Sequence, residues 1–430
     1  MTIQDLYSIF FKFPIICTDS RKIIKDCLFF ALKGENFDGA KFAGEAIDKG
    51  AAFAIIDNCK YAKGKQFICV DNVLKTLQEL ANYHRNHFDI PVLGITGTNG
   101  KTTTKELIAK ILATSYNIVA TKGNLNNHIG LPLMLLQITN STEIAVLEMG
   151  ASKRGDIKEL CTIANPTLGL ITNIGTAHIE GFGSLENLYH TKKELFDSVI
   201  TNQGTIFFNK DYSYFKSIDY IKSITYGTSE NTIIRGKILN SDLFLKLAIT
   251  LNNNIHILET KFIGKYNFEN ILAAVSVGHF FNIPIQKAIE AISCYIPDNN
   301  RSQLIETGRN KIISDAYNAN PTSMMAAISN FMSIAVSIPK TLILGDMLEL
   351  GKISSQEHQN IVKQLENMSF EKIFLVGNLF FKTQTKSSAF LKFLSTEELK
   401  NYLNENPITG NMILIKGSRG IALENIIKLL

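Results

Sequence analysis

"GITGTNGKTTT", residues 94–104, lies between the apolar run Ile90-Pro91-Val92-Leu93 and a helical-looking segment, Lys105-Glu106-Leu107-Ile108-Ala109. A turn between strand and helix presents unpaired backbone N–H groups at the positive end of the helix, where phosphate oxygens are favoured. Gly97 and Gly100 permit tight turning and close approach, Lys101 is placed to reach outer phosphates, and the Thr102 hydroxyl is suited to Mg²⁺. The strict pattern GxxxxGK[ST] asks for glycine at 95, where this chain has Ile95. A plainer reading is a Gly/Thr-rich turn that merely caps a helix. Strand, turn, lysine and threonine occurring together favour the phosphate reading.

From this loop outward the chain alternates strand and helix. VLGIT (92–96), IAVLEMG (144–150) and TLGLITNIG (167–175) are apolar nearly throughout and separated by helical stretches. That pattern predicts a mainly parallel sheet covered on both faces. Within 204–261 the runs TIIRGKIL, LFLKLAIT and IHILET alternate and are expected to be antiparallel additions, before GKYNFENILAAVSVGHFF (264–281) turns helical again. Upstream, LFFAL (28–32), AAFAII (51–56), QFICV (66–70) and a helix over 73–88 make a first unit. Downstream, KIISDA (311–316), TLILGD (341–346), KIFLVG (372–377) and MILIKGS (412–418) make a third α/β unit. The expected domains are 1–88, 89–300 and 301–430, a division that 430 residues readily accommodate.

Composition narrows the function. With 45% hydrophobic and 19% charged residues the chain reads as soluble and folded. A net charge of +5 is mild at this length, and no basic aromatic stripe is present, so no nucleic-acid partner is expected. No apolar run approaches the ~20 residues that span a bilayer, and the N-terminus does not read as a signal peptide. The six cysteines (17, 27, 59, 69, 161 and 294) form no CxxC pair, which argues against zinc and against a disulfide framework. A cytoplasmic location is the expectation.

A phosphate cradle does not identify a reaction, and Mg²⁺ needs more oxygen than one threonine supplies. Glu148 ends an apolar strand, and His178 follows the strand at 167–172. Both are expected over the carboxyl edge of the sheet, beside the loop. Glu148 is equally readable as an ordinary strand-end carboxylate, His178 as a polar loop residue, and Lys192 and Lys193 as surface lysines of an amphipathic helix.

Further segments carry a resemblance. TGTNGKTTT (96–104), GNLNNHIGLPL (123–133), LEMGAS (147–152), TNIGTAHIEGFGS (172–184) and GKYNFEN (264–270) follow in the order found in the ATP-dependent Mur ligases, which build the peptide stem of peptidoglycan precursors. DAYNANPTSM (315–324), LGDMLELG (344–351), ILIKGSRG (413–420) and TDSRKIIKDCLFFALKGENFDGAKF (18–42) resemble the branch that adds D-alanyl-D-alanine to UDP-N-acetylmuramoyl-tripeptide. The resemblance spans nearly the whole chain. It implies an α/β, three-domain Mur ligase architecture: a small UDP-binding domain, a central P-loop ATPase-like parallel sheet with added antiparallel strands, and a C-terminal Rossmann-like domain. It also implies a monomer. Ligation of the third amino acid and non-catalytic binding of UDP-peptides stand as alternatives.

The same resemblance implies roles. Gly97, Thr98, Asn99, Gly100, Lys101, Thr102 and Thr103 would hold ATP, with Asn267 and Asn270 at the base; Tyr266 stands where a histidine is common. Thr102, Glu148, His178 and a carbamylated Lys192 would hold two Mg²⁺, while Arg301 approaches the phosphates and Asp315 the incoming amine. Asn318 and Asn320 would place D-alanyl-D-alanine, with Asn126 and Asn127 also on the substrate side. Ser20, Arg21, Lys33 and Gly34 would meet the UDP-sugar, although any loop can contain Ser-Arg. The implied chemistry activates a carboxylate as an acyl phosphate, which the amine then attacks.

Overall fold

The computed structural model describes residues 1–34, 37–175, 182, 184–298, 300–348 and 350–430. His178 lies outside these residues. The chain is built on three main sheets, and the first holds four parallel strands in the order Ile16–Cys17, Leu28–Phe30, Phe53–Ile56 and Phe67–Cys69. Helix Val73–Arg85 starts where the Asn72 side chain accepts the Lys75 N–H, an N-cap that satisfies one orphan donor. Its buried face, Val73, Leu77, Leu80 and Ala81, joins Leu6 and Phe10 in a core that continues into the central sheet. Buried Arg85 donates to the carbonyls of Ala164, Phe88 and Ile90 and so fastens this helix to the next unit.

Cysteine spacing did not anticipate one pairing. Cys59 and Cys69 are brought side by side, with Cα atoms 5.6 Å apart, because the turn at Cys59–Tyr61 lies beside strand Phe67–Cys69. Cys17, Cys27, Cys161 and Cys294 are free.

The second sheet has nine strands with Val92–Thr96 near its middle, flanked in parallel by Ile144–Glu148 and Leu168–Ile171. All five residues of Val92–Thr96 are buried, as a strand covered on both faces requires. Region 204–261 differs in part from expectation. Thr205–Asn209 and Ser223–Gly227 extend the parallel portion, because helix Leu185–Thr201 carries the chain back across the sheet before Thr205. Only Ile234–Asn240, Lys246–Leu251 and Asn254–Glu259 pair antiparallel. The last two are joined by Asn252 and Asn253, both at positive φ (50° and 62°), the conformation a tight two-residue hairpin needs.

The third sheet has six strands, ordered Gln303–Glu306, Lys311–Asp315, Met412–Lys416, Lys340–Gly345, Lys372–Val376 and Phe390–Phe393. All neighbours are parallel except the first pair. Both outer strands escaped the sequence reading: they are edges, four residues long and only partly buried, so their pattern is weak. No described helix is long and apolar enough to cross a membrane.

Candidate active site

The strand–loop–helix at 92–112 forms as its sequence dictates. Gly97 has φ +145° and Gly100 φ +80°, where side chains are strained. A Cβ on Gly97 would stand 2.0 Å from Thr172 Oγ1, and one on Gly100 would stand 2.2 Å from Asn270 Oδ1. Neither position tolerates a larger residue. Helix Lys101–Leu112 has no side-chain cap, which leaves its N-terminal turn open to an anion. The N–H groups of Thr98 and Asn99 are committed, to the backbone oxygen and the side chain of Asn173. The open donors of the cradle therefore begin at Gly100. Lys101 is partly buried and folds back, donating to the carbonyls of Gly97 (2.8 Å) and Thr98 (3.0 Å). Burial pushes its ammonium below the usual lysine range, with Arg301 acting in the same direction and Glu148 opposing.

Behind the loop, Thr104 Oγ1 donates to Asn270 Oδ1, Asn270 Nδ2 to Asn267 Oδ1, and Asn267 Nδ2 to the Ile263 carbonyl. Both asparagines line the cleft, yet these amide groups are engaged in fastening helix Asn267–Phe280 to the phosphate loop.

Glu148 ends its strand 2% exposed. Asn126 Nδ2 donates to its Oε1 at 2.8 Å, while Oε2 is buried without a hydrogen-bond partner. An orphaned carboxylate oxygen on a phosphate cleft costs several kcal/mol of desolvation unless something positive meets it, on the order of 1–3 kcal/mol even for a neutral group. That vacancy in bonding suits a divalent cation with oxygen preference. Among the described residues no three His, Cys, Asp or Glu cluster together. Beyond Glu148 and the Thr102 hydroxyl, such a cation would draw on phosphate oxygens and water.

Helix Leu185–Thr201 separates the two adjacent lysines. Lys193 is solvent-facing and pairs with Asp197, whereas Lys192 is 3% exposed, lines the cleft and lies over the Phe182 ring. Burial, reinforced by Lys101, pulls the Lys192 amine down to about 7.

The third sheet supplies the opposite wall. Asp315 ends its strand with Oδ2 2.6 Å from Lys416 Nζ and Oδ1 accepting the Ser302 N–H. Lys416, itself 2% exposed, also donates to the Asn318 carbonyl. Asn320 caps helix Pro321–Ser333, accepting from the Ser323 N–H, and its Nδ2 donates to Asn99 Oδ1 of the phosphate loop at 2.9 Å. A second tie between these walls joins Tyr266 Oη to Ser302 Oγ at 2.7 Å. Thus Tyr266 bridges the central and C-terminal walls.

One cleft of about 660 Å³ gathers 97–103, Asn126, Glu148, Lys192, Asn267, Asn270, Arg301, Asp315, Asn318 and Asn320. Its size falls in the range of small-molecule sites. Asn127 does not line it; its side chain accepts the N–H groups of Ile129 and Gly130 at the start of helix Gly130–Leu135. Ser20, Arg21, Lys33 and Gly34 lie on the first unit, away from this cleft. Ser20 is buried, Arg21 forks onto Asp19, and Lys33 and Gly34 form an exposed ribbon with Phe37–Asp38. The sequence reading missed Lys416, Asn173, Tyr212 and Tyr317. A lysine closing the apolar run MILIK was the one available signal for Lys416.

Comparison with known proteins gives three matches in chain order. Residues 12–88 match the Mur ligase family catalytic domain, 95–278 the Mur ligase middle domain, and 300–419 the Mur ligase glutamate ligase domain. UDP-N-acetylmuramoyl-tripeptide–D-alanyl-D-alanine ligase of Bacillus subtilis strain 168 is 36% identical over 96% of this chain and 92% of its own. The protein of that name from Escherichia coli K12 is 30% identical over 96% and 93%. The crystal structure of MurF from Acinetobacter baumannii superimposes with a TM-score of 0.86 at 27% identity, covering 96% of this chain and 93% of that one. MurF from Thermotoga maritima in complex with ADP gives 0.84 at 25% identity, covering 96% of each. Agreement of this kind, extending through all three sheets and along nearly the full length of the relatives, places the chain in the Mur ligase family.

Proposed function

We propose that this protein joins D-alanyl-D-alanine to UDP-N-acetylmuramoyl-tripeptide, consuming ATP and releasing ADP and phosphate, in the synthesis of peptidoglycan precursors. The observation that carries this reading is a single cleft with a phosphate loop on one wall and the Asp315–Asn320 segment on the other, bridged by the Asn99–Asn320 hydrogen bond. The names of relatives matching over the whole chain favour it over addition of the third amino acid. They favour it equally over a silent binding protein.

In this reading the N-terminal unit, 1–88, holds the UDP-sugar through Ser20, Arg21, Lys33 and Gly34. The central unit, 89–300, holds ATP on the open N–H groups from Gly100 to Thr103. Lys101 leaves its own loop carbonyls to meet the outer phosphates, and Arg301 adds a second positive charge from across the cleft. The tripeptide carboxylate attacks the γ-phosphate, giving an acyl phosphate and ADP. The dipeptide amine, oriented by Asp315, Asn318 and Asn320, then attacks the acyl carbon, and phosphate leaves. Two anions must meet, so positive groups stabilise the first transition state most. Mg²⁺, when held by Glu148 Oε2 and Thr102, supplies charge neutralisation on the phosphates. A carbamate on Lys192 would turn a buried cation into an anion suited to a second Mg²⁺. Enclosure between two walls keeps water from the acyl phosphate.

A substrate panel tests the reading. The chain with ATP and Mg²⁺ is offered D-alanyl-D-alanine with the lysine-ending or the diaminopimelate-ending UDP-tripeptide, or the UDP-dipeptide with a free amino acid. The expected product is a UDP-pentapeptide from one or both tripeptides, with phosphate released only when both substrates are present. A product from the UDP-dipeptide alone would give the alternative.

A further inference from the structure

A second cavity, of about 150 Å³, shares Tyr317 with the main cleft and is otherwise lined by Asn300, Ala316, Arg419 and Glu424. Its groups carry both signs of charge. The Arg301 guanidinium stacks 3.7 Å from the Tyr317 ring centre and belongs to the main cleft; Arg419 lies 5.4 Å from the same centre and belongs to the small cavity. Among the described residues the Arg419 guanidinium has that ring as its partner and no carboxylate. Glu424 Oε2 is buried and has no hydrogen-bond partner. A cation and an orphaned acceptor on one small cavity fit a ligand that offers an anion and a donor together.

The loop carrying Arg419 is held in place. Ser418 donates its N–H to the Asp346 carbonyl and accepts the Leu348 N–H on its hydroxyl. Asp346, 3% exposed, is in turn fixed by the N–H groups of Leu379 and Phe380. Arg419 stands three residues beyond Lys416, whose ammonium pairs with Asp315 in the main cleft. Three residues span at most about 10 Å, and an extended dipeptide spans about 7 Å from its amine to its carboxylate. The two cavities meet at Tyr317, so a ligand with its amine near Asp315 can extend toward Arg419.

We propose that this cavity receives the carboxyl-terminal half of the amine substrate: Arg419 pairs with its carboxylate, Glu424 Oε2 accepts its peptide N–H, and the Tyr317 ring covers its side chain. The assignment rests on the ligase reading above and names the groups that select a dipeptide. An arginine fork pairs with a carboxylate through two charge-assisted hydrogen bonds, and the preference disappears when the ligand is an amide.

The test is a cycle of two enzymes and two substrates, using the full chain with ATP, Mg²⁺ and the UDP-tripeptide it accepts. Wild type and Arg419→Met are compared on D-alanyl-D-alanine and on its carboxyl-terminal amide. Arg419 is exposed in the free chain, and wild type is expected to prefer the acid by about 10-fold in kcat/KM, the scale of a hydrogen bond to a charged group. Arg419→Met is expected to lose that preference to within about 3-fold, through KM for the acid, with KM for ATP unchanged. Glu424→Gln, which keeps the side-chain volume, is expected to slow acid and amide alike by about 10-fold. Wild-type discrimination persisting in Arg419→Met overturns the assignment, and an unchanged rate in Glu424→Gln removes Glu424 from it. A wild-type chain that joins neither dipeptide overturns the ligase reading itself, and the cavity assignment with it.

Discussion

Lys101→Ala is expected to lower kcat by about 10³-fold, the scale seen when one preorganised donor to a developing charge is removed. That corresponds to about 4 kcal/mol of transition-state stabilisation. The reason is the position of the ammonium. It is partly buried at the start of helix Lys101–Leu112 and parked on the carbonyls of Gly97 and Thr98, within reach of whatever phosphate the loop accepts. The charge moving from the carboxylate to the β–γ bridge has few other fixed cations beside it; Arg301 lies on the opposite wall. KM for D-alanyl-D-alanine should stay within a few fold, because the site proposed for that substrate lies beyond Asp315. Lys101→Met, which retains the buried stem, separates loss of charge from loss of packing and should lose nearly as much rate. Steady-state phosphate release under saturating substrates measures both. A Lys101→Met chain with more than a tenth of wild-type kcat would remove the lysine from the chemistry.

Lys192→Ala should cost nearly as much, on the order of 10²–10³-fold in kcat, if the residue acts as a carbamate. The adjacent Lys193 is the internal control, since it faces solvent and pairs with Asp197. Lys193→Ala is expected to stay within about 2-fold of wild type, as for most exposed ion pairs. A carbamate forms only on a neutral amine. Burial and the neighbouring Lys101 bring the Lys192 amine down to about 7, so the reactive form is abundant near neutrality. Truncation to alanine opens a pocket in which acetate or formate can stand for the lost carboxylate. Added short carboxylates should therefore restore at least about 10-fold of the lost rate in Lys192→Ala and none in Lys101→Ala, on the logic that only the first lacks an anion. Full activity of Lys192→Ala without additives would exclude Lys192 from the mechanism.

Much of the architecture was legible because buried parallel strands announce themselves. VLGIT, IAVLE, KIISD, TLILG and MILIK are apolar through their middles and appear as interior strands of the second and third sheets. What escaped was marginal by physical nature: the short edges Gln303–Glu306 and Phe390–Phe393 bury little, and Thr205–Asn209 looks alike whether its partner runs parallel or antiparallel. Periodicity reports burial, not strand direction. The split between Lys192 and Lys193 was equally hidden in composition; helical geometry alone decides which ammonium enters the cleft.

Site residues divide the same way. Glu148 follows from strand-end placement on a parallel sheet and Lys101 from the loop that opens a helix, whereas the role of Asp315, which also ends a strand, came from the resemblance. Asn267 and Asn270 show a different limit. Their spacing on a helix start was readable, but not that Asn270 Oδ1 occupies the space a Gly100 side chain would need. The glycine at 100 and the asparagine at 270 are one fitted contact across 170 residues. No local pattern records it. Lys416 was hidden for the same reason: its carboxylate partner, Asp315, comes from a strand 101 residues earlier.

In the proposed reaction the phosphate loop activates a carboxylate for attack by the amine across one cleft. Isotope transfer tests it most directly. UDP-tripeptide carrying ¹⁸O in both oxygens of its terminal carboxylate is turned over with ATP and D-alanyl-D-alanine, and the released phosphate is analysed by mass. Attack on the γ-phosphate followed by displacement at carbon delivers one labelled oxygen to each phosphate and leaves one in the new peptide bond. Phosphate free of label, with peptide product formed at the same rate, would contradict the acyl phosphate and the account built on it.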